Sequence, residues 1–254
     1  MSLRLTACRG FLAALLALTL SVSAASAATT PASFSPGQKA AINAMIRDYI
    51  LDHPEILPQA MELLQQRETT RKIAANAQEI YSDPDSVVAG NPKGDVTIVE
   101  FFDYTCPYCK LMNPMLNRLI KSDGHIRFIY KEWPVRGPVA LYAARAALAA
   151  RNQGKYLAFH DALYAAPGEL SDARVLAIAK EQGLNIEKLK ADMAAPGIDA
   201  ALGRTHALGQ ALDLQGTPAF LVGNDLIPGA VNYDDLVAAV HEARAAQSKA
   251  GRGN

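Results

Sequence analysis

The chain has 254 residues, half of them hydrophobic, and its 25 basic and 25 acidic side chains give a formal charge of zero at pH 7. It lacks the basic stripe typical of nucleic-acid-binding proteins, since the longest cationic cluster is the dipeptide Arg71-Lys72. Three cysteines are also too few for the disulfide-dense frameworks of small secreted domains.

The first residues have the pattern of a secretory signal peptide. Arg4 and Arg9 precede an uncharged apolar run over residues 11–22, and Ala25-Ser26-Ala27 offers an A-x-A cleavage site. The run is too short to span a bilayer comfortably, and no later segment is long and apolar enough to do so. We therefore expect residues 1–27 to be removed on export, which leaves the mature chain with two more acidic than basic residues.

One cysteine, Cys8, lies in this segment and has a competing interpretation. Residues 5–8, Leu-Thr-Ala-Cys, resemble a lipoprotein acceptor box, which would tether the protein to a membrane. A lipid-modified cysteine follows the apolar core of its signal, whereas Cys8 precedes it. We expect Cys8 to be discarded with the signal, which leaves Cys106 and Cys109 as the only thiols.

Two helices are predicted at the start of the mature chain. Ser35 fits a helix N-cap, with Pro36 at the first helical position and Gln38 completing a capping box. The apolar residues of this helix recur at helical spacing: Ile42, Met45, Ile46, Tyr49 and Ile50. A second helix is predicted over residues 55–81, ahead of a stretch rich in Pro, Gly, Asp and Asn. We interpret residues 28–90 as an N-terminal helical arm.

The remaining residues, 91–254, have the pattern of an α/β domain. A nearly continuous run of β-branched and aromatic residues predicts a buried strand, and Ala-rich helical periodicity predicts several packed helices further on. In chain order we predict a strand at 96–102, a helix continuing through Leu119, a strand at 126–133, helices over 138–214, a hairpin of 219–222 and 226–228, and a closing helix at 233–246.

The two remaining cysteines stand directly after the first strand of that domain, in Cys106-Pro107-Tyr108-Cys109. A cysteine where a strand meets a helix has its sulfur near unpaired N–H groups and the positive end of the helix dipole, which stabilise thiolate over thiol. Cys106 is therefore the predicted nucleophile. Cys109, nearly one helical turn later, is close enough to attack a mixed disulfide at Cys106 or to pair with it. Cys109 is the predicted resolving cysteine.

Metal binding is the main alternative for this pair of thiols. A closed zinc site normally needs four ligands, and the five histidines are scattered without ligand spacing: His53, His125, His160, His206 and His241. We therefore favour redox chemistry and predict no resident metal or other cofactor, only a redox-active disulfide between Cys106 and Cys109. Transient capture of Cu(I) by two thiolates is chemically possible and stays open.

The residues around the motif resemble the DsbA-like branch of the thioredoxin superfamily. Residues 100–109, Glu-Phe-Phe-Asp-Tyr-Thr-Cys-Pro-Tyr-Cys, are similar to its active-site strand and helix start, and Pro114 matches the proline that kinks that helix. Residues 216–218, Gly-Thr-Pro, match the loop whose proline is cis and faces the disulfide. The helices over 138–214 stand where this branch carries a helical insertion. The resemblance implies an α/β, thioredoxin-like fold with a DsbA-type helical insertion, preceded by the helical arm.

The resemblance also implies roles for residues outside the cysteines. Glu100 matches an acidic position and would accept the proton of Cys109, while Thr217 and Pro218 would bind extended substrate backbone. The dipeptide Pro107-Tyr108 lacks the histidine of the most oxidising members, whose thiol pKa is about 3.5 against about 7 in thioredoxin. Thr217 is closer to the isomerases of the superfamily. Lys131-Glu132 fits a charge pair near the site and a solvated strand end equally well, and no role is assigned to it.

The N-terminal arm is similar to that of the ScsC-like, suppressor-of-copper-sensitivity group, over residues 34–38 and 53–57. In that group the arm mediates oligomerisation, so a homodimer or homotrimer through residues 28–90 is implied. The resemblance predicts a periplasmic disulfide isomerase or reductase acting on unfolded or misfolded exported proteins, with a membrane redox partner. A dithiol oxidase is the nearest alternative. A copper-binding or holdase module is the alternative from another class.

Overall fold

The computed structural model describes residues 34–250, so the predicted signal peptide over 1–27 and Cys8 lie outside the described residues. No helix within 34–250 is both long and apolar enough to cross a membrane. The elements in chain order are α1 (Pro36–Asp52), α2 (Ile56–Ala75), α3 (Ala77–Tyr81), β1 (Val87–Gly90), β2 (Val96–Phe102), α4 (Pro107–Asp123), β3 (Ile126–Glu132), α5 (Pro138–Ala150), α6 (Tyr156–Ala165), α7 (Asp172–Glu181), α8 (Ile186–Met193), α9 (Pro196–Ala211), β4 (Ala219–Val222), β5 (Asp225–Pro228) and α10 (Tyr233–Ala250).

The chain divides into two compact units, and the described part of the first is residues 34–57. Helix α1 begins as predicted: the Gln38 N–H donates to the Ser35 hydroxyl (3.3 Å), and the Ser35 N–H donates to Oε1 of Gln38 (2.9 Å). No residue of α1 is buried. Its large apolar side chains are more than half exposed: Met45, Ile46, Tyr49 and Leu51.

The second unit begins at Pro58, well inside the segment predicted as the arm. The single helix predicted over 55–81 is two helices, because α2 ends at Ala75 and α3 starts at Ala77. Ile73 and Ile80 are buried in a hydrophobic cluster with residues of the central sheet. Residues 58–81 therefore belong to the same unit as the cysteine motif.

A five-stranded sheet in the order β1-β3-β2-β4-β5 forms the centre of this second unit. Strands β2 and β3 are parallel, and the other pairs are antiparallel. The predicted strands and hairpin are confirmed, as are the insertion helices α5 to α9. Strand β1 was not predicted, because its four residues acquire strand character only by pairing with β3. The sheet thus starts inside residues 28–90, earlier than the predicted boundary at residue 91.

Both faces of the sheet are covered, which explains the nearly continuous apolar run of β2. Alternate residues point to opposite sides. Ile98 and Phe102 lie in the larger core with α4, α10 and the insertion, whereas Val99 and Phe101 lie in the smaller core with α2, α3 and α9. Glu100 shares the alternation of Ile98 and Phe102, so its carboxyl group points to the side where α4 carries the cysteines.

Of the two interpretations of Lys131-Glu132, the solvated strand end is wrong. Both side chains are buried, at 2% and 3% exposure. The Lys131 ammonium donates to Asp83 at 3.1 Å and also to the backbone carbonyl of Glu79. The turn that follows α3 covers this end of β3, so the lysine is part of a buried ion pair that joins the turn to the sheet.

Candidate active site

Cys106 lies where β2 gives way to α4. The strand ends at Phe102, a three-residue turn follows, and Cys106 is the N-cap of the helix, with Pro107 at its first position. The Cys106 N–H donates to the carbonyl of Asp103 at 3.0 Å, which closes the turn. Only 2% of Cys106 is exposed. The predicted location of Cys106 at the N-terminus of a helix is confirmed.

Hydrogen bonds lower the pKa of Cys106 from 9.0 to about 5. The largest contribution comes from the Cys109 thiol, which outweighs the opposing effect of burial; the Thr217 side chain and the N–H groups of Cys109 and Tyr108 add to it. Sγ of Cys106 also lies 3.2 Å from the Thr217 carbonyl, a contact that only the thiol form can use as donor. At neutral pH Cys106 is therefore a thiolate, without any cation in the dipeptide between the cysteines.

Cys109 and Glu100 lie behind Cys106 in the core, and their pKa values are raised whereas that of Cys106 is lowered. Burial, the hydrogen bond with Cys106 and the charge of Glu100 raise the pKa of Cys109 far above its ordinary value. Burial, with the nearby Cys106 thiolate, raises the pKa of Glu100 from 4.5 to about 8. Both groups are thus protonated at neutral pH while Cys106 is ionised. The pair of thiols is chemically asymmetric, as an attacking and a resolving cysteine must be.

The Thr217-Pro218 peptide bond is cis, as the resemblance implied. A groove of about 680 Å³ runs past this loop and past Tyr108, whose side chain is 61% exposed. The rest of the lining is Gln65, Asp213, Leu214, Gln215, Gly216, Ala219, Leu226, Pro228, Gly229 and Ala230. This largely apolar groove can hold an extended polypeptide beside Cys106.

Sequence reasoning missed Asp103, which holds the turn between Phe102 and Cys106. It is buried, and its Oδ1 accepts hydrogen bonds from the N–H (2.7 Å) and the hydroxyl (2.7 Å) of Thr105. Its Oδ2 accepts from the N–H groups of Val135 (2.9 Å) and Arg136 (3.0 Å), in the loop after β3. An Asp in a strand-to-helix turn indicates local capping but does not reveal the second loop.

We expect Asp103→Ala to lower the free energy of unfolding by about 2–4 kcal/mol, because four donors lose one shared acceptor. Urea unfolding measures this, and the rate of Cys106 alkylation should fall as the turn loosens. Asp199→Ala removes an exposed partner of Arg145 and should cost less than about 1 kcal/mol. An equal loss in the two variants would contradict the role assigned to Asp103.

A second missed group is a buried polar network centred on Glu132. Its Oε1 accepts hydrogen bonds from the hydroxyls of Tyr104 (2.9 Å) and Tyr156 (2.7 Å), and the Tyr104 hydroxyl lies 3.0 Å from Nδ1 of His160. Burial raises the pKa of Glu132 well above its usual value and lowers that of His160 to about 4, so each shift favours the uncharged form. The network ties Tyr104, two residues before Cys106, to helix α6 of the insertion.

The described residues contain no cluster of side chains that could bind a metal ion. Between residues 34 and 250, no three His, Cys, Asp or Glu side chains are grouped so that they could hold a metal ion. The two cysteines are reduced in this structure.

Two family models match the chain. Residues 82–242 match the model described as thioredoxin, and residues 38–69 match the model described as the N-terminal domain of the copper resistance protein ScsC. The first match includes Cys106, Cys109, Glu100 and the cis-proline loop. The second begins within α1 and ends within α2.

Three solved structures illustrate the similarity of this chain to thioredoxin-like and ScsC proteins. A thioredoxin-like oxidoreductase from Silicibacter pomeroyi is 47% identical, with a TM-score of 0.65, over 66% of this chain and 96% of that one. A Proteus mirabilis ScsC linker-deletion mutant is 28% identical, with a TM-score of 0.66, over 85% and 99%. The thiol-disulfide exchange protein alpha-DsbA2 of Wolbachia pipientis is 31% identical, with a TM-score of 0.66, over 70% and 97%.

Several matches to curated proteins cover only a part of a longer chain. A Na⁺/H⁺ antiporter, NhaA 1, of Salinispora arenicola is 32% identical over 164 residues, which are 63% of this chain and 25% of that protein. The chain therefore spans about a quarter of the length of the first curated relatives that it matches.

Proposed function

We propose that this chain, since it belongs to the thioredoxin family and is an ScsC-like member of it, isomerises or reduces disulfide bonds in exported proteins. The chain acts as a thiol-disulfide oxidoreductase in this proposal. The observation that supports the proposal most is the asymmetry of the two cysteines: an ionised Cys106 at the helix start and a protonated Cys109 beneath it. The groove along Thr217-Pro218 supplies room for a polypeptide substrate.

The proposed reaction has two steps. The Cys106 thiolate attacks one sulfur of a substrate disulfide, which forms a mixed disulfide and releases the other substrate sulfur as a thiolate. Once the Glu100 carboxyl has ionised, Cys109 gives its proton to that carboxylate and attacks Sγ of Cys106, which releases the second substrate thiolate and leaves a Cys106–Cys109 disulfide. When a different cysteine thiolate of the substrate instead attacks the substrate sulfur of the mixed disulfide, a new substrate disulfide forms and Cys106 leaves as a thiolate. The substrate is then rearranged with no net electron transfer.

We propose isomerisation or reduction over oxidation because Pro107-Tyr108 lacks the histidine of the most oxidising DsbA-like proteins and because Thr217 resembles the isomerases of the superfamily. A dithiol donor must reduce the Cys106–Cys109 disulfide after each net reduction. We propose a membrane redox partner on the periplasmic side for this step, and an exported location that follows from the predicted signal peptide over residues 1–27.

We also propose that the arm joins copies of this chain into a homodimer or homotrimer. Helix α1 has no buried residue, and the exposed apolar side chains on one side of it need a partner surface: Met45, Ile46 and Tyr49. A second copy supplies an equivalent surface. The self-associating segment is narrower than residues 28–90, because residues 58–90 contribute buried side chains and strand β1 to the second unit.

The function is tested by comparing two reactions of the mature protein, refolding of a scrambled-disulfide substrate and oxidation of a reduced one. Isomerisation should dominate, and rapid oxidation with no rearrangement would refute the proposed direction. Ile46→Glu should weaken self-association about 30-fold or more by placing a charge in the interface, and should lower isomerase activity. Ala44→Glu, which adds the same charge on the opposite side of α1, is the matched control. Unchanged mass and activity in Ile46→Glu would refute the role of the arm.

A further inference from the structure

A second cavity, of about 520 Å³, opens directly at Cys106. It shares no lining residue with the groove along Thr217-Pro218. Its lining is Tyr104, Thr105, Cys106, Pro107, Lys110, Arg136, Leu163, Gly168, Glu169 and Leu170. When a substrate cysteine reaches Cys106, one part of the polypeptide can lie in the apolar groove and another part can enter this cavity.

The charged side chains of this cavity are two cations and one anion, Lys110, Arg136 and Glu169. Lys110 lies in the first turn of α4, one residue after Cys109, and its ammonium donates to the carbonyl of Ala166. That hydrogen bond holds the ammonium in place without neutralising it. The cavity thus keeps a fixed positive charge next to the redox centre.

The backbone of Arg136 is also anchored by a hydrogen bond, but its guanidinium group has no partner in the described residues. Its N–H donates to Oδ2 of Asp103 at 3.0 Å, which anchors the residue to the active-site turn. Its guanidinium makes no ion pair or hydrogen bond to any residue between 34 and 250. An exposed guanidinium that lines a cavity and has no partner is suited to bind a carboxylate in bidentate fashion.

We propose that this cavity is a subsite for a carboxylate side chain close to the substrate cysteine, so that Lys110 and Arg136 make the protein prefer disulfides flanked by Asp or Glu. The proposal rests on the proposed function. The need for such a subsite follows from charge: the Cys106 thiolate repels an acidic segment, and the two cations offset that repulsion. Glu169 opposes the preference, so its removal should strengthen it.

The test uses three peptides of equal length with one cysteine flanked by Glu, Gln or Lys, each as a mixed disulfide with 2-thiopyridine. Attack by Cys106 on the peptide sulfur releases thiopyridone, whose absorbance gives the rate. In the reduced wild-type protein the Glu peptide should react about fivefold faster than the Gln peptide, and this ratio should fall at high salt. Lys110→Gln with Arg136→Gln should bring the ratio to one or below, because the repulsion by the Cys106 thiolate and Glu169 then has no counterpart, and Glu169→Gln alone should raise it.

A matched control removes the same charges elsewhere. Lys121→Gln with Arg67→Gln changes one exposed lysine of α4 and one exposed arginine of α2, neither of which lines the cavity, and should keep the wild-type ratio. Arg136→Gln alone, which breaks no side-chain hydrogen bond, keeps the test valid if the double variant is unstable.

The outcomes separate the two proposals. Thiopyridone release from none of the peptides would refute the proposed function itself. Equal rates for the three peptides, or a ratio that survives in the Lys110 and Arg136 double variant, would overturn the subsite alone. A dependence on these cations that is seen with glutathione disulfide and not with the peptides would overturn the assignment to a polypeptide carboxylate.

Discussion

Cys109→Ala should trap substrates as mixed disulfides on Cys106, with turnover reduced by about a thousandfold or more. The reason is geometric and electrostatic: Cys109 is the buried thiol hydrogen-bonded to Cys106, and residues 34–250 contain no other thiol that could resolve the intermediate. Non-reducing electrophoresis and intact mass should show a one-to-one adduct that a small dithiol releases.

The matched variant for this trap is Cys106→Ala, which leaves Cys109 as the only thiol. Because Cys109 is completely buried with a strongly raised pKa, it should form no adduct and should resist alkylation at neutral pH. If Cys106→Ala captured substrates as well as Cys109→Ala does, the assigned roles of the two cysteines would be wrong.

Glu100→Gln should slow the resolution step by about 10²–10³-fold while attack by Cys106 stays near its wild-type rate. The wild-type resolution rate should rise with pH as the Glu100 carboxyl, whose pKa burial holds above its usual value, ionises and can accept the Cys109 proton. That rising limb should vanish in the variant. Stopped-flow measurement of the two steps at several pH values tests this, with the exposed Glu242→Gln as control.

The same pKa shift predicts the pH dependence of stability. Between pH 4.5 and about 8 the folded protein keeps Glu100 protonated while the unfolded chain does not, so this group lowers the stability of the reduced form as pH rises. Cys106 acts in the opposite sense, since its folded pKa of about 5 lies below its unfolded value of 9.0 and its contribution grows with pH.

Replacing Glu100 should therefore remove the destabilising effect of its carboxyl group and leave only the stabilising effect of the Cys106 thiolate. Reduced Glu100→Gln should gain on the order of 3 kcal/mol over wild type at pH 7, and this difference should shrink as pH falls toward 4.5. Urea unfolding under reducing conditions measures it. A constant difference across this range would show that the Glu100 carboxyl is not shifted in the folded protein.

The parts of the fold that sequence predicted are those whose signals are local. The capping box at Ser35 and the apolar run of residues 96–102 each depend on a few neighbouring residues, and the structure has both elements as predicted. The cysteine motif and the Gly-Thr-Pro loop are short patterns as well. In the structure Sγ of Cys106 lies 3.2 Å from the Thr217 carbonyl oxygen. Only the family resemblance predicted that the motif and the loop are close, because 111 residues separate Cys106 from Thr217.

The features that sequence missed depend on what covers a residue from far along the chain. Glu132 and Lys131 look solvated in sequence, but Tyr156 of the insertion and Asp83 of the turn after α3 bury and satisfy them. Asp103 binds a loop more than thirty residues away. Periodicity cannot show such partners, since it reports which face a side chain takes and not what packs on that face.

The pKa of Cys106 in the reduced protein is the most direct test of this account, because the proposed chemistry begins with its thiolate. The rate of iodoacetamide alkylation, with the adduct located by mass spectrometry, gives that pKa as a function of pH. We predict a midpoint of about 5, with Cys109 unmodified throughout. A midpoint near 9.0, the ordinary value for a thiol, would contradict the assignment of Cys106 as the nucleophile of a thiol-disulfide oxidoreductase.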